Sequence, residues 1–288
     1  MNQGFSQRDL VTIGMPVYNG AFYIKKALDS LLSQTYQNFE LLISDNASTD
    51  ETSNICQEYT RKDSRIRYFR QQRLGTPTEN FRFVLERAQG FYFMWASHDD
   101  VWDAHFLQEC VTFFLRSPHL IMVFCNFVYM DEQGKIIKMH DPHTFFPFGK
   151  DQYEQLKRFL VLLHHDGKAN LLYGLWKCGV VRGVEFQLVD NWKKWGADAN
   201  FVFRMLLKGP FGFTDRTSFF KRVYPRKRAR LKSMLIKVFY PFLLSLTPYL
   251  HTYLRDVLER KGYPFFRRLT LLGYILFIWL RLFFTYRI

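Results

Sequence analysis

Three groups of side chains in this 288-residue chain have types and spacings that could do chemistry. The first is Ser97-His98-Asp99-Asp100, which follows the apolar run FYFMWA. Two adjacent carboxylates just past a buried strand suit a hard divalent cation such as Mg2+ or Mn2+, which keeps waters and takes phosphate oxygens as further ligands. A solvated loop with a helix cap beside it is the plainer alternative; the position at a strand end favours the metal. The second group is Trp195-Gly196-Ala197-Asp198, which precedes Phe201, Val202, Met205 and Leu206 at helical spacing. By itself Asp198 is most simply an acid that complements the dipole at a helix N-terminus. Trp192 and Trp195 beside it are equally readable as a platform for an acceptor sugar or as core packing. The third, His164-His165-Asp166, has the residue types of a metal cluster, but neighbours on a helix point apart, and a basic helix end is the better account.

Positioning these groups falls to a regular series of elements. LVTIGMPVY (10–18) reads as a buried strand ended by its proline, with a loop at Tyr18-Asn19-Gly20. Ile24, Ala27, Leu28, Leu31 and Leu32 give a one-sided helix. FELLIS (39–44) is a second strand, ending at Asp45-Asn46, and Ser48 and Glu51 fit a capping box for the next helix. IRYFR (66–70) is a third strand, and Thr76-Pro77-Thr78-Glu79 starts a third helix that Gly90 stops. FYFMWAS (91–97) is the fourth strand, and Asp103 caps a helix to about Arg116. Further on, 120–130 and 135–139 read as strands about a turn, and 151–164 and 198–207 as helices. The β-α repeat with short links specifies an α/β fold, a mostly parallel sheet with helices on both faces. Ligands of such sheets bind beyond the carboxyl ends of the strands, where Asn19, Asp45, Gly75 and Asp99 all fall.

The segments VTIGMPVYNG, ELLISDNASTDET, RLGTPTENF and FYFMWASHDDVW, in that order, resemble glycosyltransferase family 2, with its Rossmann-like GT-A fold. The resemblance runs from Val11 to about Tyr224. It implies an inverting transferase that moves a sugar from a nucleotide-diphosphate sugar, usually UDP-linked, to a hydroxyl of a glycan or lipid-linked acceptor, as in polysaccharide and cell-envelope synthesis. It implies nucleotide contacts from Pro16, Tyr18, Asn19 and Asp45, with Gly75 and Ser97 nearby. Asp99, and with it Asp100, is implied to hold Mg2+ or Mn2+ against the diphosphate. Ser97 stands where the family's metal motif has its first Asp. The resemblance also gives Asp198 a sharper role, as general base for the acceptor hydroxyl.

Charge divides the chain. Of the net +14, all but one unit lies from Lys221 onward, where fifteen Lys and Arg face only Asp256 and Glu259. The basic run PRKRARLK (225–232) is followed by MLIKVFYPFLLSLTPYL (234–250) and LTLLGYILFIWLRLFF (269–284). Prolines and charges interrupt or end both apolar stretches near the lower limit for a membrane span, so helices lying in an anionic membrane surface are the expectation, with a short tilted span over 269–286 left open. The chain thus divides into a catalytic domain, 1–224, and a basic, hydrophobic, membrane-associating helical region, 225–288. The polar N-terminus and four cysteines without a C-x-x-C pair point to a reducing compartment, placing the protein peripherally or monotopically on the cytoplasmic side of a membrane. Two alternatives compete: a nucleotide-sugar-binding homologue without catalysis, raised by Ser97, and a nucleic-acid binder using the basic tail. The long apolar segments argue against nucleic acid. Homo-oligomerisation is left open.

Overall fold

The structure, a computed structural model, describes residues 9–140, 151–161, 167–184, 197–224 and, toward the C-terminus, 257, 266–267, 269–273 and 275. The first half alternates as expected: β1 (Val11–Val17), α1 (Ile24–Leu32), β2 (Phe39–Asp45), α2 (Thr52–Lys62), β3 (Ile66–Arg70), α3 (Pro77–Arg87), β4 (Tyr92–Trp95), a two-residue β5 (Val101–Trp102) and α4 (Phe106–Arg116). There follow β6 (Met122–Met130), β7 (Ile136–His140), α5 (Gln152–Val161), a 3-10 turn (Lys168–Tyr173), β8 (Leu175–Lys177), α6 (Cys178–Arg182), α7 (Ala197–Lys208) and β9 (Phe211–Arg222). Among the described residues the strands form one sheet in the order β3-β2-β1-β4-β8-β6-β9-β5, with β7 alongside β6. The first four strands in that order are mutually parallel. The other half is mixed: β8 runs antiparallel to β4 and β6, whereas β9 runs parallel to β6 along almost its whole length.

Burial explains the pattern. Every residue of β1 and β2 is buried, as continuous apolar strands covered on both faces should be. Helix α3 crosses β1 so closely that a Cβ on Gly14 would lie 2.7 Å from Val84 Cγ2. At the turn into β4, a Cβ on Gly90 would lie 2.6 Å from Leu10 O, Thr12 N and Tyr92 O, so only glycine fits there.

Two local expectations change. Strand β1 does not end at its proline: Pro16 pairs with Ser44 inside the ladder. It is tolerated because β4 stops opposite Gly14, so on that side no strand needs the missing N–H. The capping box at Thr76 forms, with Thr76 Oγ1 accepting from Glu79 N at 3.2 Å and Glu79 Oε2 accepting from Thr76 N at 2.7 Å. The box at Ser48 does not: α2 starts at Thr52, whose amide donates to Asp50 Oδ1 at 3.0 Å, and Ser48 Oγ serves the loop after β1 instead.

Lys221 and Arg222 are not part of a detached tail; they close β9 inside the sheet. Further along, the side chains of Val257, Leu271 and Ile275 are buried and join the hydrophobic core, and the Arg267 guanidinium lies 4.9 Å from the Tyr153 ring centroid. Part of the C-terminal region therefore packs on the domain. No helix among the described residues is long and apolar enough to cross a membrane. Most of the segment 225–288, the proposed acceptor residues Trp192 and Trp195, and the 164–166 cluster lie outside the described residues.

Candidate active site

Two loops leave the parallel half of the sheet side by side and are tied together by short bonds. After β1, Tyr18 and Asn19 are exposed, and Asn19 takes a left-handed φ of 50°. Its Oδ1 accepts from Thr49 N at 2.8 Å, and its own amide donates to Ser48 Oγ at 2.9 Å. The next two amides donate to side chains at the start of α2: Gly20 N to Thr52 Oγ1 at 2.8 Å and Ala21 N to Asp50 Oδ2 at 3.0 Å. Asn80, buried on α3, clamps both strand ends: its Nδ2 donates to Ser44 O at 3.0 Å and Val17 O at 3.4 Å, and its Oδ1 accepts from Ser44 Oγ at 2.5 Å.

Asp45 does not present its carboxylate to this cleft. It is fully buried, with Oδ1 accepting from Ser48 N at 2.8 Å and Oδ2 from the Tyr68 hydroxyl at 2.7 Å. This corrects the expectation of a direct nucleotide contact: the side chain shapes the turn through Ala47, whose φ is 58°. The neighbouring Asn46 holds Gly75 at both ends, accepting from Gly75 N at 2.8 Å and donating to Gly75 O at 2.9 Å. Gly75 is thereby fixed beside the β2 loop. Pro16 is buried in β1, so of the residues expected at the base, Tyr18 and Asn19 are the ones on the surface.

Past β4 lies the charged centre. Asp99 is partly buried; Ser97 Oγ donates to its Oδ1, and the Tyr224 hydroxyl donates to its Oδ2 at 2.7 Å. Burial opposes its charge, but the Lys221 ammonium and these hydroxyls outweigh it and hold the carboxyl below the usual range. Asp100 is different. It is completely buried, accepting from Lys221 Nζ at 2.8 Å and from Arg222 N at 2.9 Å. Burial pushes its carboxyl up to about 6 against the pull of Lys221. Arg222 completes the anchor, with Nε donating to Asp99 O at 2.9 Å and Nη1 to Asp131 O at 2.7 Å and Glu132 O at 2.8 Å. The expectation that Asp100 binds metal is therefore corrected: both its oxygens are committed to β9 and none reaches solvent. His98 packs on Gly20, where a Cβ would lie 2.7 Å from its ring, and burial lowers its pKa, favouring the neutral ring.

Asp198 sits in the first turn of α7, where its Oδ1 accepts from Ala199 N at 2.8 Å. The 3-10 turn packs against both α7 and β4 and so bridges Asp198 and the Asp99 loop. Tyr173 at the end of that turn feels the charges of Lys221, Asp100, Asp99 and Asp198 together. His98 in turn feels Asp99 and Asp50. The β1 and β2 loops, Asp99 and Asp198 thus line one rim of the sheet.

For a divalent ion, the donor set is small. Among the described residues no three His, Cys, Asp or Glu side chains gather as a metal cluster. Asp99 nevertheless fits the role, because each carboxylate oxygen keeps a lone pair after accepting one hydroxyl, and Mg2+ or Mn2+ commonly relies on one or two carboxylates plus phosphate oxygens and water.

A profile for glycosyl transferase family 2 matches residues 12–173, which run from β1 through the Asp99 loop to Tyr173. The chain belongs to this family. Similar proteins include a glycosyltransferase of Rickettsia felis, 31% identical over 158 residues, covering 54% of this chain and 26% of that one. A glycosyltransferase of Haemophilus influenzae is 35% identical over 130 residues, covering 45% and 52%. The chain thus spans from about a quarter to about half the length of these curated relatives. Among solved structures, S. aureus TarS 1-349 in complex with UDP superposes with a TM-score of 0.68 at 16% identity, covering 92% of this chain and 70% of that one. The mannosyltransferase PcManGT from Pyrobaculum calidifontis, in complex with GDP-Man and Mn2+, gives 0.59 at 16% identity, covering 93% and 73%. The shared architecture is the GT-A fold.

The sequence reading missed Asn46, Tyr68, Asn80, Tyr173, Lys221, Arg222 and Tyr224. Asn46 and Asn80 were within the quoted motifs as polar residues inside otherwise apolar surroundings, which is a signal. Lys221 and Arg222 were visible only as positive charge.

Proposed function

We propose that this chain is an inverting glycosyltransferase that moves a sugar from a nucleoside-diphosphate sugar to an acceptor hydroxyl. The observation that carries the proposal is the convergence on one rim of the β1–β2 loops, Asp99 and Asp198, on a family 2 scaffold. The donors in complex with the structural neighbours, UDP-GlcNAc in S. aureus TarS and GDP-Man in PcManGT, support a nucleotide sugar as ligand.

In this reading the base lies against Tyr18 and Asn19, beside the Asn46-clamped Gly75. A divalent ion held by Asp99 would offset the charge that develops on the departing diphosphate. Ser97 and Tyr224 orient the Asp99 carboxylate, and Asp100, paired with Lys221, fixes the loop from below. Asp198 takes the proton of the acceptor hydroxyl as that oxygen attacks the anomeric carbon from the face opposite the leaving group, so the configuration inverts. The acceptor is proposed as a glycan or lipid-linked glycan, and the segment from 225 onward as the part that holds the enzyme to an anionic membrane.

The test is a screen of UDP- and GDP-sugars with and without Mn2+, followed by Asp198→Asn. The variant is expected to keep donor binding while transfer falls about 100- to 10,000-fold. Full transfer by the variant would overturn the base assignment. Failure of every donor to bind would overturn the proposed activity.

A further inference from the structure

Tyr173 closes the 3-10 turn between the Asp99 loop and the helix that carries Asp198. Its ring is well supported. Phe219 lies behind it at 5.5 Å between centroids, and Lys221 Nζ lies 4.8 Å from the ring centroid. Gly174 follows directly and lets the chain press on β6, where a Cβ would lie 2.7 Å from Met122 Sδ and 3.0 Å from Val123 O. The turn cannot move away from the sheet without losing this contact, so the phenol position is set by packing.

The hydroxyl, by contrast, has no hydrogen-bond partner among the described residues. Elsewhere along the rim, each tyrosine hydroxyl that points inward is bonded: Tyr68 to Asp45 and Ser53, and Tyr224 to Asp99. A phenylalanine would fill the Tyr173 space equally well and avoid removing a hydroxyl from water, which is costly without a partner. The oxygen therefore faces something other than protein, and the space it faces lies between the residue placed at the diphosphate and the residue placed at the acceptor. In a transfer reaction that space holds the sugar being moved.

We propose that the Tyr173 hydroxyl hydrogen-bonds the sugar of the bound donor and so helps determine which sugar is accepted. The inference rests on the nucleotide-sugar reading given above. The group is suited to donate: burial, with Asp100, Asp99 and Asp198 nearby, raises its pKa to about 12 against the opposing Lys221, so it stays protonated across the working range. A hydroxyl donor bonds a sugar oxygen and contributes nothing to binding the nucleoside diphosphate alone, which separates its role from that of Asp99.

The experiment is calorimetric titration of the intact chain and of Tyr173→Phe with four probes, each with Mn2+: UDP, UDP-GlcNAc, GDP and GDP-mannose. The ring survives in the variant, so the Phe219 and Lys221 contacts persist, and an unchanged melting temperature confirms that the fold is intact. The variant is expected to bind the matching nucleoside diphosphate as the intact chain does, but to bind the nucleotide sugar about tenfold more weakly. Unchanged affinity for the nucleotide sugar, or an equal loss for the sugar-free diphosphate, would overturn the assignment while leaving the donor reading in place. If the intact chain binds none of the four, the donor reading falls and takes this assignment with it.

Discussion

Replacing Lys221 with methionine should destabilise the fold in a pH-dependent way, and the size follows from Asp100. The Asp100 side chain has no exposure, and that of Lys221 is 21% exposed. Even with the ammonium 2.8 Å away, the Asp100 carboxyl titrates at about 6 rather than 3.8. Holding it ionised at pH 8 thus already costs about 3 kcal/mol, at 1.36 kcal/mol per unit. In Lys221→Met the carboxyl keeps one strong donor, Arg222 N, and loses its counter-charge. Removing one partner of a buried pair costs about 3–5 kcal/mol. Because the folded-state pKa is already raised and rises further, the stability linked to Asp100 is fully present below about pH 4 and is lost as the pH climbs through the folded value. The deficit of the variant should therefore be about 3 kcal/mol or more at pH 8 and clearly smaller at pH 5, and Lys221→Met/Asp100→Asn should recover most of it. Urea unfolding at both pH values without divalent ions is the assay. A deficit that is equal at pH 5 and pH 8, or below about 1 kcal/mol at pH 8, would refute the reasoning that a charged Asp100 is paired inside the sheet.

Asn80→Ala leaves Ser44 O and Ser44 Oγ without the Asn80 carboxamide at the strand ends, so urea unfolding should show a loss of about 2–3 kcal/mol. All four cysteines are free and buried, and burial raises the Cys56 thiol to about 12, so Ellman's reagent at pH 8 should label none until denaturant is added. Flotation with liposomes rich in phosphatidylserine should carry the intact chain, while a version ending at Tyr224 should stay at the bottom; equal behaviour would remove the proposed membrane role.

The parallel half of the sheet was legible because its signals are local. Continuous apolar runs of seven residues, a proline-initiated capping box at Thr76 and a stop at Gly90 act over a few residues each. The mixed half was not, because its order depends on pairing at long range. Strand β9 reads FGFTDRTSFFKR, a broken alternation, and it holds together only because β6 lies beside it, with a register shift at Cys125/Asn126 that absorbs Asp215-Arg216-Thr217. Strand β8 has three residues and carries too little pattern to be seen. The site followed the same rule. Strand ends told where Asn19, Asp99 and Gly75 would meet, but not which way each side chain would turn. Asp45 and Asp100 looked like the exposed acids of loops, and both proved to be internal. In each case the deciding partner was remote: Tyr68 is 23 residues from Asp45, and Lys221 is 121 from Asp100.

The last strand also sets a leash. Tyr224, whose hydroxyl touches Asp99, is followed directly by the basic, greasy segment that begins at Pro225. Each residue of extended chain spans at most about 3.5 Å, so whatever the first few residues of that segment grip is held within a short radius of the rim. A polypeptide arranged this way needs no long arm to bring a surface-bound acceptor to the chemistry. Lengthening the join would loosen that proximity, one residue at a time.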